Sequence, residues 1–206
     1  MKNILVEAMA QLTPLSEEEA LAIEQSYPIK IFGKGTYLLK EGQIAKDAFM
    51  VVQGCVRKYL MADGEEVTTD FHTEGHTAAD FHSLANQQPT RYNFICTEET
   101  TVAIVNEEKE EALYKRFPRF ETICRVEFQK MIGTNEDKLA TFNARNPEEK
   151  YLILLEERPD LFQRVPQYQI ASYLGIKPET LSRIRKRISG KEVPCLQKND
   201  QKLMPK

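Results

Sequence analysis

Between Ile29 and Val105 the apolar residues come in brief runs, and Gly33, Gly35, Gly42, Gly54, Gly64 and Gly75 interrupt them. That texture predicts short strands joined by tight turns. Residues 48–52 predict one strand, Gln53-Gly54 its turn and residues 55–60 the returning strand. Asp63-Gly64 then predicts a hairpin into residues 66–71, because glycine takes positive φ without steric cost. Strands spaced this closely form a barrel or roll. Upstream, Ser16 as a cap, the acidic Glu17, Glu18 and Glu19, and apolar Ala20, Leu21 and Ile23 on one side predict a short leading helix over residues 15–26.

After Asn106 the period changes. Phe120, Cys124, Phe128, Met131, Asn135, Leu139 and Phe142 recur in steps of three and four, which predicts a long helix. The seam suits either the buried face of one protomer or a coiled contact with a second copy, where Asn135 is the kind of polar position that fixes register. Asn146 as cap and Pro147 in the first turn start another helix, and Tyr151, Leu152, Leu154 and Leu155 give it an apolar surface. The expected organisation is residues 1–117 as a β-rich domain with its leading helix, 118–146 as the long helix, 147–190 as a terminal helical domain and 191–206 as a flexible polar tail.

Residues 165–188 carry the most informative pattern. Ile170, Ala171 and Leu174 fall on one side of a first helix, Gly175 permits a sharp turn, and Ile176, Leu181, Ile184 and Ile188 fall on one side of a second. Pro178 suits a first helical turn, where its missing N–H is not needed. The other side of the second helix offers Lys177, Glu179, Thr180, Ser182, Arg183, Lys186 and Arg187, hydrogen-bonding and cationic groups on a rod that fits the major groove. Arg183 matches guanine O6 and N7, and Glu179 the amino group of cytosine; each good bidentate contact contributes about 1–3 kcal/mol of discrimination. Gln167, Tyr168, Lys186 and Arg187 suit phosphates, which position a protein without reading sequence. A purely structural helical hairpin shares the apolar half of this pattern but has no need of the basic half.

Charge changes the picture further. The 206 residues sum to −3, yet from Arg164 to Lys206 ten Lys/Arg stand against three Asp/Glu, +7, leaving −10 for everything before. A chain polarised in this way suits one end that attracts a phosphate backbone, although a solvated basic tail gives the same sum. No long apolar run suggests a membrane span and no secretion signal is apparent at the N-terminus, so a soluble, cytoplasmic protein is expected. Cys55, Cys96, Cys124 and Cys195 are too dispersed for a zinc or dithiol motif. No nucleophile–base pair, phosphate loop or paired carboxylates emerge, and the chain reads as a non-enzyme.

The order of elements resembles the cyclic-AMP receptor protein and fumarate-nitrate reductase regulator (Crp/Fnr) family over nearly the whole chain. Residues 35–42, from Gly35 through Glu41-Gly42, resemble that family's opening strand and turn, residues 49–57 its following hairpin, and residues 178–183 its recognition helix, with Pro178 standing where an arginine is common. The resemblance implies an α+β protein: an N-terminal double-stranded β-helix (a cyclic-nucleotide-binding-like β-roll), a long dimerisation helix and a C-terminal helix-turn-helix domain. It also implies a homodimer on a near-palindromic double-stranded DNA operator, controlled by a small effector and, in an activator, contacting RNA polymerase. The family's small β-wing has no convincing counterpart in residues 190–206.

Within that resemblance the effector pocket corresponds to Asp80, Phe81, His82, Ser83, Thr90 and Arg91. Nucleotide-binding members use a Gly-Glu pair for the ribose and an arginine for the cyclic phosphate. Here Asp80 and Phe81 replace the pair and Thr90 replaces the arginine, while strand alternation sends Arg91 to the opposite face. Burying a phosphate without a cation is costly, which argues against cyclic AMP. No cysteine precedes Cys55 to hold an iron–sulfur cluster. His72, His76 and His82 leave a haem or metal open, and with them the rival reading of a cupin-like metal-binding protein or enzyme, which would have no DNA affinity. A second rival is an interaction module whose basic end only keeps it soluble.

Overall fold

Two clusters of apolar residues, one inside a β-roll and one inside a terminal helical domain, meet across a single β-strand. The computed structural model describes residues 3–189, apart from the side chains of Lys138, Thr141, Asn143 and Ser189. It begins with two helices, α1 (Ile4–Leu12) and α2 (Glu17–Ser26). The second starts as its sequence dictates: the Ser16 hydroxyl accepts from the Glu19 N–H while Glu19 accepts from the Ser16 N–H. Of the expected apolar side Ile23 is buried and Ala20 half-buried, whereas Leu21 is 55% exposed and Ala22 is buried in its place.

Eight strands follow: β1 (Ile29–Phe32), β2 (Tyr37–Leu39), β3 (Asp47–Gln53), β4 (Val56–Ala62), β5 (Glu65–His72), β6 (Thr77–Ala78), β7 (Tyr92–Cys96) and β8 (Thr100–Asn106), with the short helix α3 (Phe81–Asn86) between β6 and β7. They pair antiparallel into two four-stranded sheets, ordered β1-β8-β3-β6 and β2-β7-β4-β5. Leu39, Phe49, Val51, Val56, Phe94, Cys96 and Val102 fill the space between them. The predicted turns hold. Asp63 and Gly64 both take positive φ, as a two-residue hairpin demands. Gly54, at φ 107, packs so closely on Glu99 and Thr100 that a Cβ there would lie 2.7 Å from backbone atoms of that segment.

Helices α4 (Glu107–Arg116) and α5 (Pro118–Asn143) leave the roll. The start of α5 packs back on the leading helices, where Phe120 is fully buried with Ala22, Ile23, Tyr27 and Leu113. Then come α6 (Pro147–Glu157), opened by an Asn146/Glu149 capping box, α7 (Leu161–Arg164), α8 (Gln167–Tyr173) and α9 (Pro178–Ser189). Tyr151, Leu154, Leu161, Val165, Ile170, Ala171, Leu174, Leu181 and Ile184 form the terminal core, and Cys55 and Phe71 of the roll complete it. The expected tail, residues 191–206, and the question of a β-wing lie outside the described residues.

Candidate functional site

Helices α8 and α9 form the bent pair that the sequence predicts. The Gly175 N–H donates to Ser172 O and the Ile176 N–H to Ala171 O, with Gly175 at φ 70, a glycine-terminated helix end that redirects the chain sharply. Pro178 is the first residue of α9. Leu181 and Ile184 are buried and Ile176 and Ile188 half-buried, so the outer face carries Lys177, Glu179, Ser182, Arg183, Arg185, Lys186 and Arg187 in solvent. Thr180 is half-buried, 3.5 Å from an Arg183 nitrogen. Arg187 is ion-paired with Glu148 of α6, which fixes its direction. Gln167 and Tyr168, exposed at the start of α8, stand at a helix N-terminus whose free N–H groups suit a phosphate. Four cations against one carboxylate on the exposed part of α9, with Lys177 just before it, make a basic surface of groove-fitting width.

This domain is fastened to the roll by polar contacts that sequence reading did not foresee. Ser172 of α8 accepts from the Thr68 N–H and donates to Glu66 O, capping the free edge of β5. Arg158 donates to Phe71 O and Thr73, and Arg164 bridges Glu74, Glu98 and Asp160. Desolvation would raise the Glu74 carboxyl, but the Arg164 guanidinium and the Gly54 N–H overcome it and hold Glu74 down at about 2. The Tyr173 and Phe142 rings stack edge and tilt against this joint, Tyr173 5.7 Å from Phe71 and 5.6 Å from Phe142.

Of the six residues expected around an effector, Asp80, Ser83 and Thr90 form a closed network, and the side chains of Phe81, His82 and Arg91 turn elsewhere. Asp80 caps α3 by accepting from the His82 and Ser83 N–H groups and also accepts from the Thr90 hydroxyl. Ser83 accepts from the Ala45 N–H and donates to Gln88 O. The donors here are thus consumed by the protein's own carboxylate, and an added phosphate meets a negative charge with no cation bonded to this network among the described residues. Arg91 is exposed and leans outward over Tyr92, donating to its hydroxyl. His82 is exposed beside Asn86. Phe81 packs edge-on against Phe128 of α5, ring centres 5.2 Å apart, tying α3 to the long helix.

Two polar groups inside the roll belong to neither network. Lys58 of β4 places its ammonium 4.0 Å from the Tyr92 ring centre and 5.4 Å from that of Phe94. His72 of β5 stacks on the same Phe94 ring, centres 6.1 Å apart, and its buried Nε2 makes no hydrogen bond among the described residues. Burial, with Lys58, His76 and Arg158 adding, lowers His72 to about 4 against the opposing pull of Asp70, so it is neutral at pH 7. The signal was present in sequence: in the alternation of Val56, Lys58 and Leu60, one inward position is charged. His76 sits on a turn bonded to Thr73, and among the described residues no three His, Cys, Asp or Glu side chains converge as metal ligands.

The expected dimer seam divides in three. Phe120 is buried within its own protomer, Cys124 is half-buried and Phe142 packs on the terminal core, so none of these is the open part. Of the rest, Phe128 and Leu139 are exposed, Leu139 at 61%, with Met131 half-buried and Asn135 in solvent; Ile132, outside the expected seam, is exposed beside them.

Comparison with known proteins places this geometry. Residues 29–117 match the cyclic nucleotide-binding domain family. No curated protein matches the chain. Among solved structures, FixK2 from Bradyrhizobium japonicum is 21% identical with a TM-score of 0.64, covering 80% of this chain and 85% of that one. The c-di-GMP responsive global regulator CLP of Xanthomonas campestris is 15% identical with a TM-score of 0.63, covering 85% and 92%. A CooA mutant from Carboxydothermus hydrogenoformans is 18% identical with a TM-score of 0.62, covering 88% and 83%. These neighbours are Crp/Fnr-family regulators, and at such identities the likeness is one of fold.

Proposed function

We propose that this chain, a cyclic nucleotide-binding-type β-roll set in the Crp/Fnr regulator fold, is a transcription regulator that binds DNA as a dimer through α9. The observation that carries the reading is the split of α9 into a buried apolar side, Leu181 and Ile184, and an exposed side of Lys177, Glu179, Ser182, Arg183, Lys186 and Arg187. Arg183 and Glu179 read bases, while Gln167, Tyr168, Lys186 and Arg187 hold phosphates. Two copies joined along Phe128, Ile132 and Leu139 set their recognition helices about 34 Å apart, one DNA turn, so the operator is near-palindromic.

The effector in this reading is not a cyclic nucleotide. Asp80, at the position of the ribose-gripping pair, accepts from Thr90, at the position of the phosphate's arginine, and Arg91 faces out. The path from roll to DNA runs through the Phe81–Phe128 contact to α5 and through β5 to α8.

The test is selection of bound duplexes from a random pool, with wild type and Arg183→Ala, at low and raised salt. Enrichment of a two-fold-symmetric site that the variant loses, with affinity falling steeply as salt rises, supports the reading. If selection enriches nothing, with or without added cell-extract metabolites, the reading is wrong.

A further inference from the structure

We infer that the inner face of β4, β5 and β7 around Lys58 and His72 is the effector site, and that it takes a small organic acid with a flat apolar body. The inference rests on the reading of the roll as the sensory half. Strand register sets six residues on one face in two cross-strand rows: Val56 pairs with both His72 and Cys96, and Lys58 pairs with both Asp70 and Phe94. Cys96, Phe94 and Val56 belong to the roll's interior, so Lys58 and His72 look inward with them.

The chemistry of the ligand follows from what this face lacks and what it offers. Lys58 has no carboxylate within ion-pair distance among the described residues; its ammonium rests on aromatic rings, a weaker substitute for water or a counter-ion. Nε2 of His72 is a buried polar atom without a hydrogen bond, an arrangement proteins seldom keep without use. Asp70 is the nearby negative charge, 4.0 Å from His72, but Arg158 stands 3.8 Å from it and the Phe71 N–H donates to it. With Asp70 offset by Arg158 and His72 neutral, the face keeps the charge of Lys58. His76, the other titratable group near His72, is on the exposed turn before β6. A carboxylate between Lys58 Nζ and His72 Nε2 supplies a counter-ion to the first and an acceptor to the second, once the imidazole carries its proton on Nε2. Tyr92 and Phe94 then receive a flat apolar remainder.

Such a site is one strand thick from the DNA-binding domain. Asp70 and His72 bracket Phe71, which faces the other way and packs on Tyr173 in the terminal core. A ligand that draws on His72 or Asp70 therefore pulls on the residue that seats α8.

The experiment titrates the full-length, DNA-free protein with a panel of small acids (benzoate, phenylacetate, 4-hydroxybenzoate) and their neutral amides, by calorimetry and by NMR of the His72 and Tyr92 ring signals. At least one acid is expected to bind with Kd at or below about 1 mM and its amide at least about tenfold more weakly. Lys58→Met and His72→Phe are each expected to weaken the acid about tenfold or more, and Lys58→Arg about threefold or less. If a variant fails to fold, the wild-type spectra decide: ring shifts at His72 and Tyr92 support the site. Equal binding of acid and amide, undiminished binding by Lys58→Met, shifts confined elsewhere, or no acid bound at about 10 mM each overturns it. Operator selection is a separate readout: a chain that selects DNA but binds no acid loses only this inference, and one that binds acid but selects no DNA loses only the regulator reading.

Discussion

Replacing Arg164 by Met keeps the aliphatic stem and removes the guanidinium that joins the terminal domain to the roll. Its side chain is 19% exposed and meets Glu74 at 2.9 Å, Glu98 at 2.5 Å and Asp160 at 2.9 Å. Glu74 gives one handle on the magnitude. Its fall from 4.5 to about 2 is the net of desolvation against Arg164 pairing and the backbone hydrogen bonds of Glu74 and Gly54, and corresponds to about 3 kcal/mol at face value, of which Arg164 supplies a part. Because 44% of the Glu74 side chain is in contact with water, screening reduces this to about 1 kcal/mol. The half-buried Glu98 loses its partner as well, for about another 1–2 kcal/mol. A total near 2–3 kcal/mol lowers the melting temperature by about 5–10 °C. Since these contacts cross between domains, the variant should melt in two calorimetric steps where wild type melts in one. The pH dependence has a definite sign. A carboxyl depressed in the folded state stabilises above its unfolded value, so the Glu74 part of the difference is full above pH about 5 and fades as pH falls from 4.5 toward 2. A single transition within about 1 °C of wild type at neutral pH would refute the claim that Arg164 couples the domains.

Three further outcomes are expected. Asp80→Ala removes a cap with three donors and strands the buried Thr90 hydroxyl, costing about 2–3 kcal/mol in denaturant unfolding; it should still fail to bind cyclic AMP, and micromolar binding by the variant would contradict the account of this pocket. Gly54→Ala combines a φ of 107 with a 2.7 Å clash against Glu99 and Thr100 and should cost about 2–4 kcal/mol in thermal melts, whereas a neutral result would mean the β3–β4 turn is not held as described. His72, lowered to about 4 with its side chain 12% exposed, takes its proton more readily when unfolded, so wild type loses up to about 3 kcal/mol as pH falls from 6.5 to 4. His72→Phe should lose less over that window in acid titration by circular dichroism; an identical pH profile for the two proteins would remove the buried imidazole from the explanation.

Much of this architecture follows from local pattern, because local rules act between near neighbours. Asp63-Gly64 determines a hairpin by backbone preference, Ser16 and Asn146 determine helix starts through their own side chains, and Gly175-Pro178 with Ile170, Ala171, Leu174, Leu181 and Ile184 determines the helical pair and its outward cations. The basic face of α9 was legible for the same reason: on a helix, spacing alone assigns the side. Spacing did not assign what each side meets. Leu21 carries the pattern of a core residue and is exposed, because the bundle around Phe120 accepts Ala22 beside the expected Ile23. Phe120, Phe128 and Phe142 fall on one helical stripe, yet the tertiary fold sends the first to the leading helices, the second to Phe81 and the third to Tyr173. The pocket was decided by long-range contact as well. Asp80 and Thr90 are ten residues apart and cancel each other's availability, while Lys58 and His72, on strands joined by a hairpin, come to share Phe94 from β7. Secondary structure and surface charge are properties of neighbouring residues. Which polar groups end up satisfied and which are left wanting a ligand depends on distances that exist only once the two sheets and the terminal domain have closed on β5.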